Sequence, residues 1–286
     1  MSAYVATLTT TPTALTTAEA NAALTFLGVA SGAADKRLLD TLITAYTRTV
    51  PWESASRIAY KAQAGDAVRL RTPRLFWEQT QASGTGGTCF ESNGAFAALL
   101  RALGYDLYFT VNDMHTHVGV HTAIIVQLPE GRYIADVGMP IYAPLPLDAA
   151  HATVTDSPFH TYTVTPKGED RYDIMRDRHP NPYCFTLRDR PVTDTAYWAA
   201  TAADYGPSGL FLDRVILIKT VGGHILRFDS GARGGATIEA FADGQRDVHP
   251  LSADYVHGVS ETFGVEANTI RAALDAIGYN PHGRHK

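Results

Sequence analysis

The chain changes texture at Gly104, and that break constrains its fold more than any other feature. Ahead of it, apolar residues recur at helical spacing in a background rich in Ala and Leu. Beyond it, β-branched and aromatic residues gather in short runs separated by turn residues such as Pro129-Glu130-Gly131 and Lys167-Gly168-Glu169-Asp170. A helical segment followed by a train of strands points to an α+β chain with antiparallel sheet, since a parallel sheet needs helix and strand to alternate.

The local signals fill in this outline. A helix is predicted over 17–27 and stopped by Gly28. A second carries Leu38, Leu39, Leu42, Ile43 and Tyr46 as an amphipathic stripe, with Asp35 at its cap and Pro51 at its end. Residues 72–81, with Pro73 near the start, predict a third. The glycine-dense loop 83–88 then runs into Cys89, after which Phe96, Leu99, Leu100 and Leu103 follow helical spacing up to Gly104. Strands are predicted over 107–111, 118–128, 132–137, 161–165, 172–176 and 183–187. A helix over 194–204 and a linker at Gly206-Pro207-Ser208-Gly209 follow. A second strand group covers 215–221, 224–228, 236–241 and 247–251, and two helical patterns, 253–263 and 266–277, end the chain. No internal repeat is evident.

Composition excludes several classes. Hydrophobic residues make up 45% of the 286 and charged residues 19%, which is core-forming material rather than a disordered mixture. The balance of 24 Lys and Arg against 29 Asp and Glu gives −5, which argues against a general nucleic-acid or anionic-membrane surface. No run of about 18 apolar residues offers a membrane span. The Thr-rich start lacks the basic and apolar regions of a secretory signal, so the expected location is cytoplasmic. Two cysteines, Cys89 and Cys184, supply neither a disulfide framework nor a four-cysteine zinc site.

Cys89 is the strongest chemical signal. A thiol at a helix N-terminus faces unpaired N–H groups and the positive end of the helix dipole, and such sites lower a thiol pKa to about 3.5–7.5. The flanking glycines allow an acyl group to approach the backbone closely. The competing reading is that a lone reduced Cys is usually a small buried hydrophobe; Cys184, in an apolar predicted strand, fits that description. A nucleophilic thiol needs a base, and the base an orienting partner. His121 opens the apolar run 122–126, Asp136 ends the following run, and adjacent antiparallel strands bring the two together. Each alone reads equally well as a surface His or a capping Asp before Gly138. A rival constellation, His115, His117 and His121, offers three imidazoles to a zinc ion, but no carboxylate interleaves them. The loop Gly84-x-Gly86-Gly87 is not a dinucleotide fingerprint, because no strand precedes it.

With these residues in place the chain resembles the arylamine N-acetyltransferase family, cysteine acyltransferases with a papain-like Cys-His-Asp triad. Pro51-Trp52-Glu53 is similar to the family's Pro-aromatic-Glu segment. Gly86-Gly87-Thr88-Cys89-Phe90-Glu91-Ser92-Asn93 is similar to its nucleophile motif. His121 with its apolar run and Tyr133-Ile134-Ala135-Asp136-Val137-Gly138 resemble the strand pair holding the other two members. Tyr205-Gly206-Pro207-Ser208-x-x-Phe211 resembles the entry to the last domain. The likeness runs from about Ala18 to Ile277.

The resemblance implies an N-terminal helical domain over 1–104, a central antiparallel β-barrel over 105–205 and a C-terminal α/β lid over 206–286, on a cysteine-proteinase-like core. It implies Cys89, His121 and Asp136 as catalytic residues and Trp52, Phe90 and Met139 as substrate contacts, with no metal. It also implies ping-pong transfer of an acetyl or other acyl group through S-acyl-Cys89 to a small aromatic amine or hydrazine. No cofactor is bound; acetyl-CoA or another acyl thioester is the co-substrate. Two departures stand out: Thr85 replaces the family's usual Arg, which pairs with the Glu of the Pro-aromatic-Glu segment, and Met139-Pro140 replaces Phe-Gly. Pro140 lacks an N–H and restricts the backbone before it, at a loop that in the family receives CoA phosphates. These departures motivate an alternative, amide synthesis from an acyl carrier protein. Zinc-dependent hydrolysis and a catalytically silent binding role complete the set.

Overall fold

The computed structural model describes residues 14–65, 70–206, 209–232 and 236–280. Pro207 and Ser208 of the expected linker lie outside the described residues.

Among the described residues, five helices and one short strand precede Gly104: α1 (Thr17–Leu27), α2 (Lys36–Thr49), β1 (Trp52–Glu53), α3 (Ala55–Ala64), α4 (Pro73–Ser83) and α5 (Cys89–Ala102). Their ends follow the sequence signals. Thr16 and Glu19 form a reciprocal capping box on α1, and Gly28 closes it at φ 68°. Asp35 accepts from Leu38 N at 2.8 Å at the start of α2, and Thr72 accepts from Leu75 N just ahead of Pro73 in α4. The apolar faces of α1, α2, α4 and α5 meet in one cluster containing Leu39, Leu42, Tyr46, Trp77, Phe96 and Leu99. Helix α5 is buried along nearly its whole length, so it is the axis on which the other helices pack.

Eight antiparallel strands follow: β2 (Asp106–Met114), β3 (His117–Leu128), β4 (Gly131–Ala135), β5 (Leu145–Leu147), β6 (Thr153–Asp156), β7 (Thr161–Pro166), β8 (Arg171–Arg176) and β9 (Tyr183–Arg188). Their order is β5-β4-β3-β2-β9-β8-β7-β6. The sheet curls until its edges approach, where Thr153 Oγ1 donates to Pro146 O at 2.7 Å, giving a nearly closed barrel. Its interior holds Ile125, Ile134, Tyr162, Ile174, Cys184 and Leu187. Cys184 is thus a core residue, and burial raises its thiol pKa to about 11.

Helix α6 (Asp194–Ala203) returns to the helical core through Tyr197 and Trp198. The chain then forms β10 (Ile216–Val221), β11 (His224–Asp229), β12 (Thr237–Ala242) and β13 (Gln245–Pro250), followed by α7 (Tyr255–Phe263) and α8 (Ala267–Ala276). Strand β1 pairs with β10 through Trp52↔Ile218 and Glu53↔Leu217, which makes a second, five-stranded antiparallel sheet. Helix α3 shares a core with this sheet and with α7 and α8: Ala55, Ile58 and Ala59 pack with Val215, Phe228, Phe263 and Ile270. The segment 52–64 therefore belongs structurally with the end of the chain. Local patterning gives no sign of this, because a two-residue strand and a ten-residue helix satisfy themselves through partners about 160 to 210 residues away. No helix among the described residues is long and apolar enough to cross a membrane.

Phe263 is completely buried in this shared core. Phe263→Ala is expected to destabilise the protein by about 3–5 kcal/mol, the cost of a large buried cavity. Urea unfolding checks this; a loss under about 1 kcal/mol contradicts the shared core.

Candidate active site

Three elements converge on one point. Cys89 opens α5, with Thr88 as its extended N-cap residue. His121 lies in β3, opposite Asn112 of β2. Asp136 sits one residue beyond β4, rather than inside the predicted strand. The β3–β4 register, with Ile124 opposite Ala135, makes His121 the diagonal neighbour of Asp136 on one face of the sheet. His121 Nε2 is 2.6 Å from Asp136 Oδ2, and the imidazole also interacts electrostatically with the Cys89 side chain, whose Sγ lies 3.8 Å from Val120 O. Because Nε2 is committed to Asp136, Nδ1 is the ring nitrogen that faces sulfur.

The electrostatics follow from this chain of contacts. Burial by itself disfavours charge on His121, but the Asp136 carboxylate and the Cys89 side chain outweigh it and raise its pKa from 6.5 to about 10. The ring is therefore cationic at neutral pH. Phe185 packs against it with ring centroids 4.6 Å apart. Asp136 is fully buried, and its second oxygen accepts from Gly138 N, Met139 N and Asn93 Nδ2, all at 2.9 Å.

Asn93 went unassigned in the sequence, although it stands one helical turn after Cys89 and so on the same face of α5. Its amide donates to Thr122 O at 2.7 Å and to Asp136, while its carbonyl accepts from Val137 N and Gly138 N. One side chain thus joins α5 to β3 and to the turn after β4. Gly138 permits this approach: a Cβ there would lie 2.6 Å from Cys89 Cα and from Asn93 Nδ2.

The glycine loop ahead of Cys89 is held equally closely. A Cβ on Gly86 would lie 1.7 Å from Pro51 O, and Glu53 N donates to Gly87 O. Glu53 is buried and accepts from Gly86 N, Ser56 N and the Ser56 hydroxyl. Burial pushes its carboxyl above the ordinary value. Glu53 has no arginine among these partners, and the buried guanidinium at the glycine loop serves Glu91 instead. Arg71, 2% exposed, donates Nη2 to Gly86 O at 2.8 Å and Nε to Glu91 at 2.7 Å. Burial opposes charge on Glu91, yet Arg71 and Arg57 hold its carboxyl below the usual range. The Tyr205 hydroxyl donates to the same oxygen. Arg57 donates to Thr88 Oγ1 and Asp204 Oδ2 and lies over the Tyr205 ring. The hydroxyl of Thr85 itself is buried with no hydrogen-bond partner. Neither Arg57 nor Arg71 carries a sequence signal, since both lie in stretches that read as ordinary mixed-charge surface.

Cys89 and His121 line a cleft of about 830 Å³ between the barrel and the five-stranded sheet. Trp52 and Met139 line it, and the Trp52 ring meets Phe211 edge-on at 5.0 Å. Phe90 does not. As the next residue along α5 its side chain leaves about 100° away from that of Cys89, and it is 3% exposed in the helical core beside Tyr197. His115 and His117 are exposed in the β2–β3 turn region, away from buried His121. Among the described residues no group of three or more His, Cys, Asp or Glu side chains is placed to hold a metal ion.

Two outcomes are expected. Arg71→Gln leaves Glu91 buried without its counter-charge and should cost about 3–5 kcal/mol in urea unfolding; a neutral result contradicts the arginine's role. The raised His121 pKa means that its charged form contributes its full stability below pH 6.5 and loses it as pH rises through about 10. The urea midpoint of the wild type relative to His121→Gln should therefore fall across that window, and a pH-independent difference contradicts the ion pair.

The chain is similar to known proteins in sequence and in fold. A family model described as N-acetyltransferase matches residues 37–224. The arylamine N-acetyltransferase of Mycobacterium tuberculosis is 29% identical in an alignment 191 positions long that covers 59% of this chain and 64% of that protein, so the chain spans under two thirds of the relative's length. Among solved structures, the arylamine N-acetyltransferase from Mycobacterium abscessus superposes with a TM-score of 0.73 at 21% identity, covering 91% of this chain and 95% of that one. The Mycobacterium marinum enzyme in complex with CoA gives 0.75 at 18% identity, covering 90% and 98%. At these identities the structural likeness is one of fold.

Proposed function

The chain belongs to the arylamine N-acetyltransferase family, and from that premise we propose that it transfers an acetyl group from acetyl-CoA to an aromatic amine or hydrazine through S-acetyl-Cys89. The observation that carries this reading is the continuous contact from Cys89 through His121 to Asp136, with the first two opening into a cleft large enough for a small-molecule substrate. A relative of the same fold bound to CoA supports the choice of donor.

The residues divide the reaction as follows. With His121 protonated and beside sulfur, Cys89 Sγ attacks the thioester carbonyl as the thiolate. Backbone N–H groups at the start of α5 stabilise the oxyanion. Collapse of the intermediate breaks the bond to the CoA sulfur, which leaves with the proton of His121 as free thiol. Cys89 is then an acetyl thioester and His121 is neutral. The amine nitrogen attacks this thioester and His121 Nδ1 takes its proton. Cys89 departs as thiolate, the amide leaves, and the starting ion pair is restored. Asp136 holds the ring in the orientation both steps require. Trp52 and Met139 flank the acceptor position, and the segments 1–104, 105–205 and 206–286 supply the nucleophile, the His-Asp pair and the covering lid.

Intact-mass measurement after incubation with acetyl-CoA tests the first half-reaction. The wild type should gain one acetyl group that is lost on adding an arylamine, and Cys89→Ser should gain none. Absence of acetylation from acetyl-CoA, with acylation from carrier-protein thioesters, would move the protein to carrier-dependent amide synthesis.

A further inference from the structure

Thr88 stands directly ahead of the nucleophile, and its side chain breaks a pattern that other helix starts in the chain keep. An N-cap threonine or aspartate in extended backbone ordinarily accepts a hydrogen bond from an N–H two or three residues on, which satisfies one of the amides that a helix start leaves unpaired. Thr16, Asp35, Thr72 and Thr193 do this for α1, α2, α4 and α6, each accepting from the N–H three residues on. Thr88 has the same extended backbone, with φ −83° and ψ −175°, yet its side chain caps nothing.

The local sequence would support a full capping box at this point. Thr88-Cys89-Phe90-Glu91 repeats the spacing of Thr16-Thr17-Ala18-Glu19, where Glu19 N donates to Thr16 Oγ1 and Thr16 N donates back to Glu19 Oε2 at 2.7 Å. At the nucleophile both halves of the box are held elsewhere. Arg57, buried in α3, donates Nη1 to Thr88 Oγ1 at 2.5 Å. Asp204 fixes that arginine, its carboxylate accepting from Nη1 and its carbonyl from Nη2, both at 2.7 Å. Glu91 Oε1 accepts from Arg71 Nε and from the Tyr205 hydroxyl, and Glu91 Oε2 has no hydrogen-bond partner. A rotation of the Thr88 side chain about Cα–Cβ would be enough to cap the helix. Such a cap would set a hydroxyl oxygen against the first-turn amides of α5, where an oxyanion on the acyl carbon at Cys89 needs donors.

We propose that Arg57 is a positioning residue for acyl transfer: by holding the Thr88 hydroxyl it keeps the start of α5 uncapped, so that the first-turn amides stay available to the oxyanion at Cys89. This rests on the reading that Cys89 is the acylated nucleophile. Arg57 is not among the residues that line the cleft, and it acts through Thr88.

Hydrolysis of p-nitrophenyl acetate tests the role without depending on the natural acyl donor. Cys89 Sγ bonds to the acetyl carbon and p-nitrophenolate leaves, so its release reports the rate of acylation. In Arg57→Met nothing holds the Thr88 hydroxyl, and kcat for acylation should fall about tenfold or more while KM changes little. Adding Thr88→Val removes the hydroxyl that caps; Arg57→Met/Thr88→Val should return to within about threefold of the wild-type rate, although Asp204 stays unpaired and the urea midpoint stays low. A wild-type rate in folded Arg57→Met overturns the proposal. So does a double variant as slow as Arg57→Met, because a merely structural arginine is not rescued by deleting its partner. A measurement on the wild type covers the case in which Arg57→Met does not fold. In isotope-edited infrared spectra of the acetylated protein, the thioester carbonyl at Cys89 should absorb at lower frequency when folded than when unfolded, as free amides polarise it; an unshifted band overturns the proposal. Failure of the acetyl-CoA reading looks different: p-nitrophenyl acetate acylates Cys89 in the Arg57-dependent manner, yet acetyl-CoA leaves no acetyl group there.

Discussion

The arrangement depends on the two oxygens of Asp136. One meets His121 at 2.6 Å; the other gathers Asn93 from the nucleophile helix and two amides from the turn that follows the strand. A carboxylate so held is fixed in orientation, and it fixes the imidazole in turn. The helical and barrel parts of the chain are thereby registered to each other at the point where sulfur and ring nitrogen meet. Loss of the Asp136 contact would leave the ring held by packing against Phe185, without the hydrogen bond that orients its Nε2.

A second buried system supports the first from behind. The glycine loop turns sharply into α5 with backbone packed on backbone at Pro51 and Gly86, which leaves no room for side chains. The loop is held by polar groups instead: Glu53 and Ser56 on one side, Arg71, Glu91 and Tyr205 on the other, and Arg57 reaching from Thr88 to Asp204. Replacing such a system wholesale by apolar residues is often tolerated energetically, whereas removing one partner is not. Its value here is positional: it joins β1, α3, α5 and the segment after α6 around the N-terminus that presents Cys89.

Much of this was legible in the sequence because the signals were local. Asp35, Thr72 and Gly28 act through neighbours three or four residues away, and the junction at Cys89 is written in consecutive residues. The residues that escaped notice act at a distance. Arg71 reaches Glu91 and Gly86 from 20 and 15 residues away, and Arg57 reaches Asp204 across 147 residues, so nothing beside them marks their burial. The absence of Arg at Thr85 is visible in the sequence, but the pairing of Arg71 with Glu91 is visible only in space. Phe90 shows the opposite failure. Adjacency to Cys89 suggests a substrate contact, while helical rotation sends the ring into the core beside Tyr197. Asn93, by the same rotation, returns to the face of the nucleophile.

We propose that Cys89 is chemically distinct from Cys184 because of His121 and Asp136. The most direct measurement of this is the rate of alkylation of each cysteine by iodoacetamide at neutral pH, followed by peptide mass mapping in the wild type and in Asp136→Asn. The account predicts rapid modification of Cys89, negligible modification of Cys184 in the folded protein, and a large fall in the Cys89 rate in the variant. Equal rates for the two cysteines, or a Cys89 rate indifferent to Asp136→Asn, would contradict it.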